Sequence, residues 1–217
     1  MDKNPQKIKE MFNEIAMNYD FNNNIISFGL HKKVKTSAIK HYKFLGKCLD
    51  LCTGTGDIAE LLSKNCEVIG LDFSSKMLEI ARKKHPNITF IEGDCTNLPF
   101  EDNSFDVVTI SFGLRNIENY DKALSEIFRV LKPNGKFLHL DFGKTNILAN
   151  FLYDIAIPKI VKLIYGKNLP YEYLIQSKKL FFNEKQLNNL FEKHGLKVLK
   201  NKNFLFGTIS SQLCEKL

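Results

Sequence analysis

The chain has 217 residues, 44% of them hydrophobic, enough for one good-sized core with an added subdomain and too few for two full domains. Its net charge of +7 is unevenly placed: residues 1–143 hold 19 basic and 19 acidic side chains, whereas residues 144–217 hold 12 lysines against 5 acids. With no arginine in that last third to make bidentate phosphate or base contacts, the surplus argues against a nucleic-acid partner and leaves a solvated surface or one facing an anionic membrane.

The N-terminal stretch Met1–Lys7 is charged and lacks an apolar segment, so neither a secretory signal nor a transit peptide is expected. The longest apolar run, Ile147 to Tyr165, is broken by Asp154, Pro158, Lys159 and Lys162, which argues against a spanning helix. Cysteines 48, 52, 66, 95 and 214 form no CxxC pair and no zinc spacing, and they read as small apolar residues of a reduced chain. A cytoplasmic protein is expected, with no metal site and at most peripheral contact with the inner face of a membrane.

In chain order, residues 5–17 place Ile8, Met11, Phe12, Ile15 and Ala16 on one helical face. A loop rich in asparagine follows (Asn18, Asn22, Asn23, Asn24), and a second helix runs from about His31 to Tyr42. Strands are predicted near 47–51, 67–71, 88–92, 106–111 and 135–141, and helices near 57–64, 74–84, 120–131, 147–164 and 183–193. Turn signals at His85-Pro86-Asn87 and Lys132-Pro133-Asn134-Gly135 separate them. The segments 196–202 and 204–213 read as an antiparallel strand pair around Asn203. Repeated strand–helix–strand units require right-handed crossovers, hence a doubly wound, mostly parallel α/β sheet covered on both faces.

The segment Leu49-Asp50-Leu51-Cys52-Thr53-Gly54-Thr55-Gly56-Asp57 runs an apolar strand into a glycine turn that opens a helix. Gly54 and Gly56 flank Thr55, so bare backbone approaches a ligand there and the helix N-terminus offers its amides to a carboxylate. The next strand ends on Asp72, placed to accept hydrogen bonds from ribose hydroxyls or to cap the helix beginning at Ser74-Ser75. Glu92-Gly93-Asp94-Cys95 ends the third strand, where Asp94 suits an exocyclic adenine amine or simply a turn. Ligands of doubly wound sheets bind outside the carboxyl ends of strands at the switch point, so the fourth strand's end, Ser111-Phe112-Gly113-Leu114-Arg115-Asn116, lies over the reacting group. A dehydrogenase of the glycine-rich type would favour a third glycine at position 59, which is Ala59.

Together these residues resemble a class I S-adenosylmethionine-dependent methyltransferase, and more narrowly the UbiE/MenG family of quinone-biosynthesis C-methyltransferases. The likeness is strong over about 10–143 and looser beyond. Its N-terminal signature matches at Tyr19, Asp20, Asn23, Ser27 and His31, with Asn22 in place of an apolar residue and Val34 in place of Trp. Ser111 to Asn116 matches in full. Arg129-Val130-Leu131-Lys132-Pro133-Asn134-Gly135 carries Asn134 for Gly, followed by Asp141 for Glu and Gly143 for Ser.

The resemblance implies a seven-stranded Rossmann-like sheet with N-terminal helices, and S-adenosyl-L-methionine as cofactor. The expected domain layout is a helical lid (1–45), a cofactor core (46–143), a substrate-side insertion (144–182) and a C-terminal helix with a strand pair (183–217). Cofactor contacts map to Thr55, Asp72, Asp94, Cys95 and Ser111, beside Gly54 and Gly56 from the turn itself. The implied reaction is C-methylation of a lipophilic prenylated quinol, demethylmenaquinol or a polyprenyl benzoquinol. Methylating such a ring carbon requires that the carbon be positioned and phenolate charge stabilised. Arg115 is a candidate for that electrostatic role, or else a structural partner of Asp121 or Glu118; Asn116 is a candidate to fix the quinol oxygen, and His31 to move a proton. Tyr19 and Asp20 read as a lid or as a helix–loop anchor. The stripe Phe151, Leu152, Ile155, Ile160, Val161 and Ile164 reads as core, as a homodimer contact or as a membrane-facing side. A nucleic-acid amino-methyltransferase is disfavoured because the fourth strand's end has no paired prolines, whereas methylation of another ring, sterol or polyketide, stays open.

Overall fold

The computed structural model describes residues 3–27, 29–144, 151, 155–156, 159 and 169–217. Helices α1 (Pro5–Ile15), α2 (Tyr19–Ser27) and α3 (Leu30–Lys40) precede an alternation of β1 (Gly46–Leu51), α4 (Asp57–Leu62), β2 (Cys66–Asp72), α5 (Ser75–Lys84) and β3 (Thr89–Glu92). Then come β4 (Phe105–Ser111), α6 (Tyr120–Val130), β5 (Leu131–Phe142), α7 (Leu169–Leu180), α8 (Glu184–Lys193), β6 (Leu196–Phe204) and β7 (Ile209–Lys216). Local chemistry sets several of these ends. Asn4 caps α1 through its side-chain oxygen with Pro5 at the first helical position, Ser74 caps α5 by accepting from Met77 N at 3.2 Å, and Asn183 with Gln186 forms a capping box on α8.

The seven strands form one sheet in the order β3-β2-β1-β4-β5-β7-β6, parallel except for β7, which runs antiparallel between β5 and β6. Successive residues of the central strands serve opposite faces. Leu49, Val108 and Phe137 pack with Leu124, Ile127 and Phe191 from α6 and α8, whereas Cys48, Val107 and Leu138 pack with Ile58, Leu62 and Leu78 from α4 and α5. Burying each such large side chain contributes about 1.5–3 kcal/mol, which is why the doubly wound reading follows from the apolar strand pattern.

The predicted strand and helix positions between 47 and 142 correspond to the observed elements with shifts at their ends, and three expectations change. The asparagine-rich stretch is helical from Tyr19 to Ser27, because Asn costs a helix only a few tenths of a kcal/mol and tertiary bonds compensate. Gly29, at φ +71°, separates it from α3, which starts at Leu30. The turn of the final strand pair lies at 205–208 rather than Asn203, with Leu205, Phe206 and Gly207 at positive φ; β6 carries on through Phe204. Lys132 to Gly135 do not end the strand but bulge within β5: the register moves from Phe105↔Leu131 to Val107↔Lys136, and Asn134 takes φ +62°. The predicted 147–164 helix and most of the apolar stripe lie outside the described residues; Phe151 and Ile155 of that stripe are exposed. Among the described residues no helix is long and apolar enough to cross a membrane.

Candidate active site

The β1–α4 turn is held from beneath. Asp50, buried in the sheet, accepts hydrogen bonds from the hydroxyls of Thr53 at 2.6 Å and Thr109 at 2.7 Å, and burial pushes its carboxyl up to about 6 against those two bonds. Cys52 and Gly54 both take positive φ, +52° and +57°, and the space where a Gly54 Cβ would stand is open. Gly56 is different. It stands at φ +89° before α4, and a Cβ there would come within 2.8 Å of the His85 ring and 3.0 Å of the Phe90 ring, so its glycine serves packing rather than a ligand.

Asp72 closes β2 with both oxygens engaged: Oδ2 accepts from Gly54 N and Oδ1 from Ser74 N, each at 2.9 Å. Burial outweighs these amides and raises the carboxyl to about 6. Ser74, not Asp72, supplies the side-chain cap of α5. Asp94 orders the following turn by accepting from Thr96 N at 2.8 Å. Cys52 and Cys95 meet through a thiol hydrogen bond, and that bond together with burial holds the Cys52 thiol well above its usual range.

At the end of β4, Phe112 adopts φ +56°, and a Cβ on Gly113 would lie 2.5 Å from Cys52 Cβ, so the β1 and β4 loops touch only because residue 113 lacks a side chain. Arg115 is buried. Its Nη1 donates to Asp141 Oδ1 at 2.6 Å and to Phe112 O at 2.7 Å, and its guanidinium carbon sits 5.7 Å from the Phe112 ring centroid and 5.0 Å from that of Phe142. Its acid is therefore Asp141 on the neighbouring β5, not Asp121 or Glu118: Asp121 is engaged by His194 and Lys193. Asn116 donates to Phe112 O at 3.3 Å and accepts from the Tyr173 hydroxyl of α7 at 3.2 Å.

These loops enclose a cavity of about 440 Å³ at the carboxyl ends of β1, β2 and β4, roofed by the N-terminal helices. Of the residues singled out from sequence, Gly54, Asp72, Asp94, Cys95, Ser111 and Asn116 line it; Thr55, Gly56, Arg115 and His31 do not. Thr55 donates to Asp20 Oδ1 at 2.7 Å and so ties the turn to α2. His31 is buried away from the cavity wall with Nδ1 2.6 Å from Ser27 Oγ. Since that hydroxyl donates to Asn23 O, Nδ1 carries the ring proton. Burial and then Lys35 lower the imidazole to about 4, leaving it neutral at physiological pH.

Ser111 Oγ, buried on the cavity wall, has no hydrogen-bond partner among the described residues, nor do Arg115 Nε and Asp141 Oδ2 just behind. A ligand that brings polar groups is the simplest way to satisfy the first of these. Sequence reasoning missed Lys3, Phe12, Phe73 and Tyr173. Phe12, on the apolar face of α1, borders the cavity beside Tyr19 at a ring distance of 6.3 Å.

The family model described as "ubiE/COQ5 methyltransferase family" matches residues 1–216. The chain belongs to the ubiE/COQ5 methyltransferase family. The demethylmenaquinone methyltransferase of Staphylococcus haemolyticus is 39% identical over 96% of this chain and 93% of its own length. The ubiquinone/menaquinone biosynthesis C-methyltransferase UbiE of Brucella suis is 36% identical over 92% of this chain and 81% of its own. Among solved structures, a SAM-dependent methyltransferase from Thermotoga maritima superposes with a TM-score of 0.72 at 20% identity, covering 96% of this chain and 99% of that one; this likeness speaks to the fold alone. In this ubiE/COQ5 chain the three signature segments are brought to one place: α2 over the glycine turn, Ser111–Asn116 at the cavity wall, and Asp141 behind Arg115.

Proposed function

We infer that the protein is an S-adenosylmethionine-dependent C-methyltransferase acting on a prenylated quinol, with demethylmenaquinol as its acceptor. The observation that carries this reading is the unbroken Ser111–Asn116 segment, whose Ser111, Phe112, Gly113 and Asn116 line a cavity, in a chain whose family match covers residues 1–216. The residues present suit the cofactor: a buried hydroxyl with no partner among the described residues, a carboxylate at the end of β2, and a glycine at positive φ with open space before it. When bound, S-adenosylmethionine supplies an electrophilic methyl group on a cationic sulfur.

Each chain residue then has a definable task. Asp72, as carboxylate, is prepared by two backbone amides to accept ribose hydroxyls on its remaining lone pairs. Gly54 lets the ligand approach main chain, and Ser111 offers its unmatched hydroxyl. Asn116 presents an amide to the acceptor oxygen. Arg115, paired with Asp141 and packed against the two phenylalanine rings, donates to Phe112 O, the same carbonyl that takes the Asn116 amide, and so holds the loop that presents Asn116. It acts from behind the wall rather than by contact.

A benzoquinol acceptor is the second reading, favoured by the likeness to the Brucella UbiE. Purified protein given methyl-labelled cofactor with a short-chain demethylmenaquinol, or with a demethylated benzoquinol, is expected to label the first more rapidly. Label in the benzoquinol alone would select the second reading, and label in neither, with normal cofactor binding, would overturn both.

A further inference from the structure

Asn116 touches the cavity, and its amide is gripped at both ends. Nδ2 donates to the carbonyl of Phe112, and Oδ1 accepts from the hydroxyl of Tyr173. The two ends of a primary amide are chemically opposite, so a carbonyl on one side and a hydroxyl donor on the other select one of its two flipped orientations. Tyr173 must be protonated to serve as that donor. Burial pushes its phenol up to about 12, so the proton stays at any working pH. The tyrosine belongs to α7, which follows residue 168 and lies far along the chain from the β4 loop it completes; α7 meets that loop at Leu114–Asn116.

We propose that Tyr173 is a positioning residue for methyl transfer, locking the Asn116 amide so that its second N–H and its second lone pair face the acceptor ring. The proposal rests on the reading of Asn116 as the group that holds the quinol oxygen. Two soft torsions separate an asparagine amide from its backbone, and the contact to Phe112 O fixes only the nitrogen end. Without the phenol, the oxygen end has no partner among the described residues and the amide samples orientations that present the wrong atom to the acceptor. The cofactor side is untouched by this, because Gly54, Asp72 and Ser111 draw on the ends of β1, β2 and β4 and, among the described residues, have no hydrogen bond to α7.

The test is a double-mutant cycle on the full chain with S-adenosylmethionine and a short-chain demethylmenaquinol. Tyr173→Phe keeps the ring and removes one neutral hydrogen bond, and it is expected to lower kcat about five- to tenfold while the cofactor Kd stays within about twofold. In an Asn116→Ala background the same change is expected to have no further effect on kcat, a coupling that loss of packing alone would not produce. Full activity in Tyr173→Phe beside a slow Asn116→Ala would overturn the proposal and spare the reading of Asn116. Equal losses from Tyr173→Phe in both backgrounds would overturn it too, by showing the tyrosine acts elsewhere. Normal turnover in Asn116→Ala would instead bring down the reading of the site on which the proposal stands.

Discussion

At the scale of single residues, burial rather than charge pairing governs the carboxylates beneath the site. Asp72 is the informative one, since its pKa is raised to about 6 although two backbone amides favour its charged form. A carboxylate that accepts ribose hydroxyls must first lose its proton, so cofactor binding by this residue is favoured above pH 6 and opposed below it. Calorimetry is expected to show a cofactor Kd that is level from pH 8 to 7 and rises by up to about tenfold per unit below 6. Asp72→Asn is expected to bind more weakly with that slope removed. Retention of the slope in the variant would assign the titration to another group.

The glycines make the same point about scale. Gly54 and Gly56 look alike in a GxG motif, yet one faces open cavity and the other abuts His85 and Phe90. Their division of labour is set by neighbours brought from α5, β3 and beyond, which no local pattern contains.

At the scale of elements, the roof over the cavity is α1 and α2, and it is held by a handful of polar contacts. Lys9 pairs with Glu92 at 2.7 Å, Ser74 donates to Asn13 Oδ1 at 2.7 Å, and Asp20 accepts from Thr55 at 2.7 Å and from Lys84 at 2.8 Å. The Lys84–Asp20 pair is about one-third exposed on both sides and adds little, about 0–1 kcal/mol, so the half-buried Thr55 bond carries most of the Asp20 contribution. Asp20→Ala is therefore expected to raise the cofactor Kd several-fold and to speed amide exchange across residues 5–27 while exchange in β1 and β4 is unchanged. Uniform loss of protection throughout the sheet would mean that the two helices are part of the core rather than a separable cover.

The asparagine run in α2 reads as a loop on its own residues alone. Its propensities are poor, but Tyr19 sits on the cavity, Asp20 on Thr55, and Ser27 bonds back to Asn23 and across to His31. Local side-chain bonds at Ser27 and tertiary partners at Tyr19 and Asp20 together decide the conformation of a segment whose own preference is weak. Equally, the acid that pairs with Arg115 is neither of the sequence neighbours Asp121 and Glu118, because Asp141 comes beside it only when β4 pairs with β5 through Ser111↔Leu140.

At the scale of the whole molecule, the titrating groups pull in two directions. Asp50 and Asp72 have folded pKa values near 6, above those of the unfolded chain, so their contribution is complete at low pH and is lost as pH rises through about 6. His31, lowered to about 4 by burial and by Lys35, acts oppositely and is lost as pH falls from about 6.5 to 4. Burial would raise Asp57, but Lys35 and Lys84 bring it down to about 2; Asp106 is held down by Lys132, Asp121 by His194 and Lys193, and Glu126 by Arg129. Those four contributions exist above the unfolded carboxylate range and vanish as pH falls below about 4. The urea midpoint is thus expected to change little between pH 6.5 and 4.5 and to fall steeply from 4 to 2. A midpoint at pH 2.5 equal to that at pH 5 would contradict the assignment of these ion pairs.

The sequence by itself determined the alternating elements, the doubly wound sheet and the loops that form the cavity, because apolar period, glycine turns and strand-end acids are local properties that survive any arrangement of the rest. Only the tertiary structure decided which face of Gly56 is crowded, which acid meets Arg115, that His31 stands off the cavity, and that Tyr173 reaches Asn116. The contacts of Gly56, Arg115 and Tyr173 join residues tens of positions apart, fixed by strand pairing and helix packing, and pairwise proximity of that kind leaves no periodic trace in a single chain.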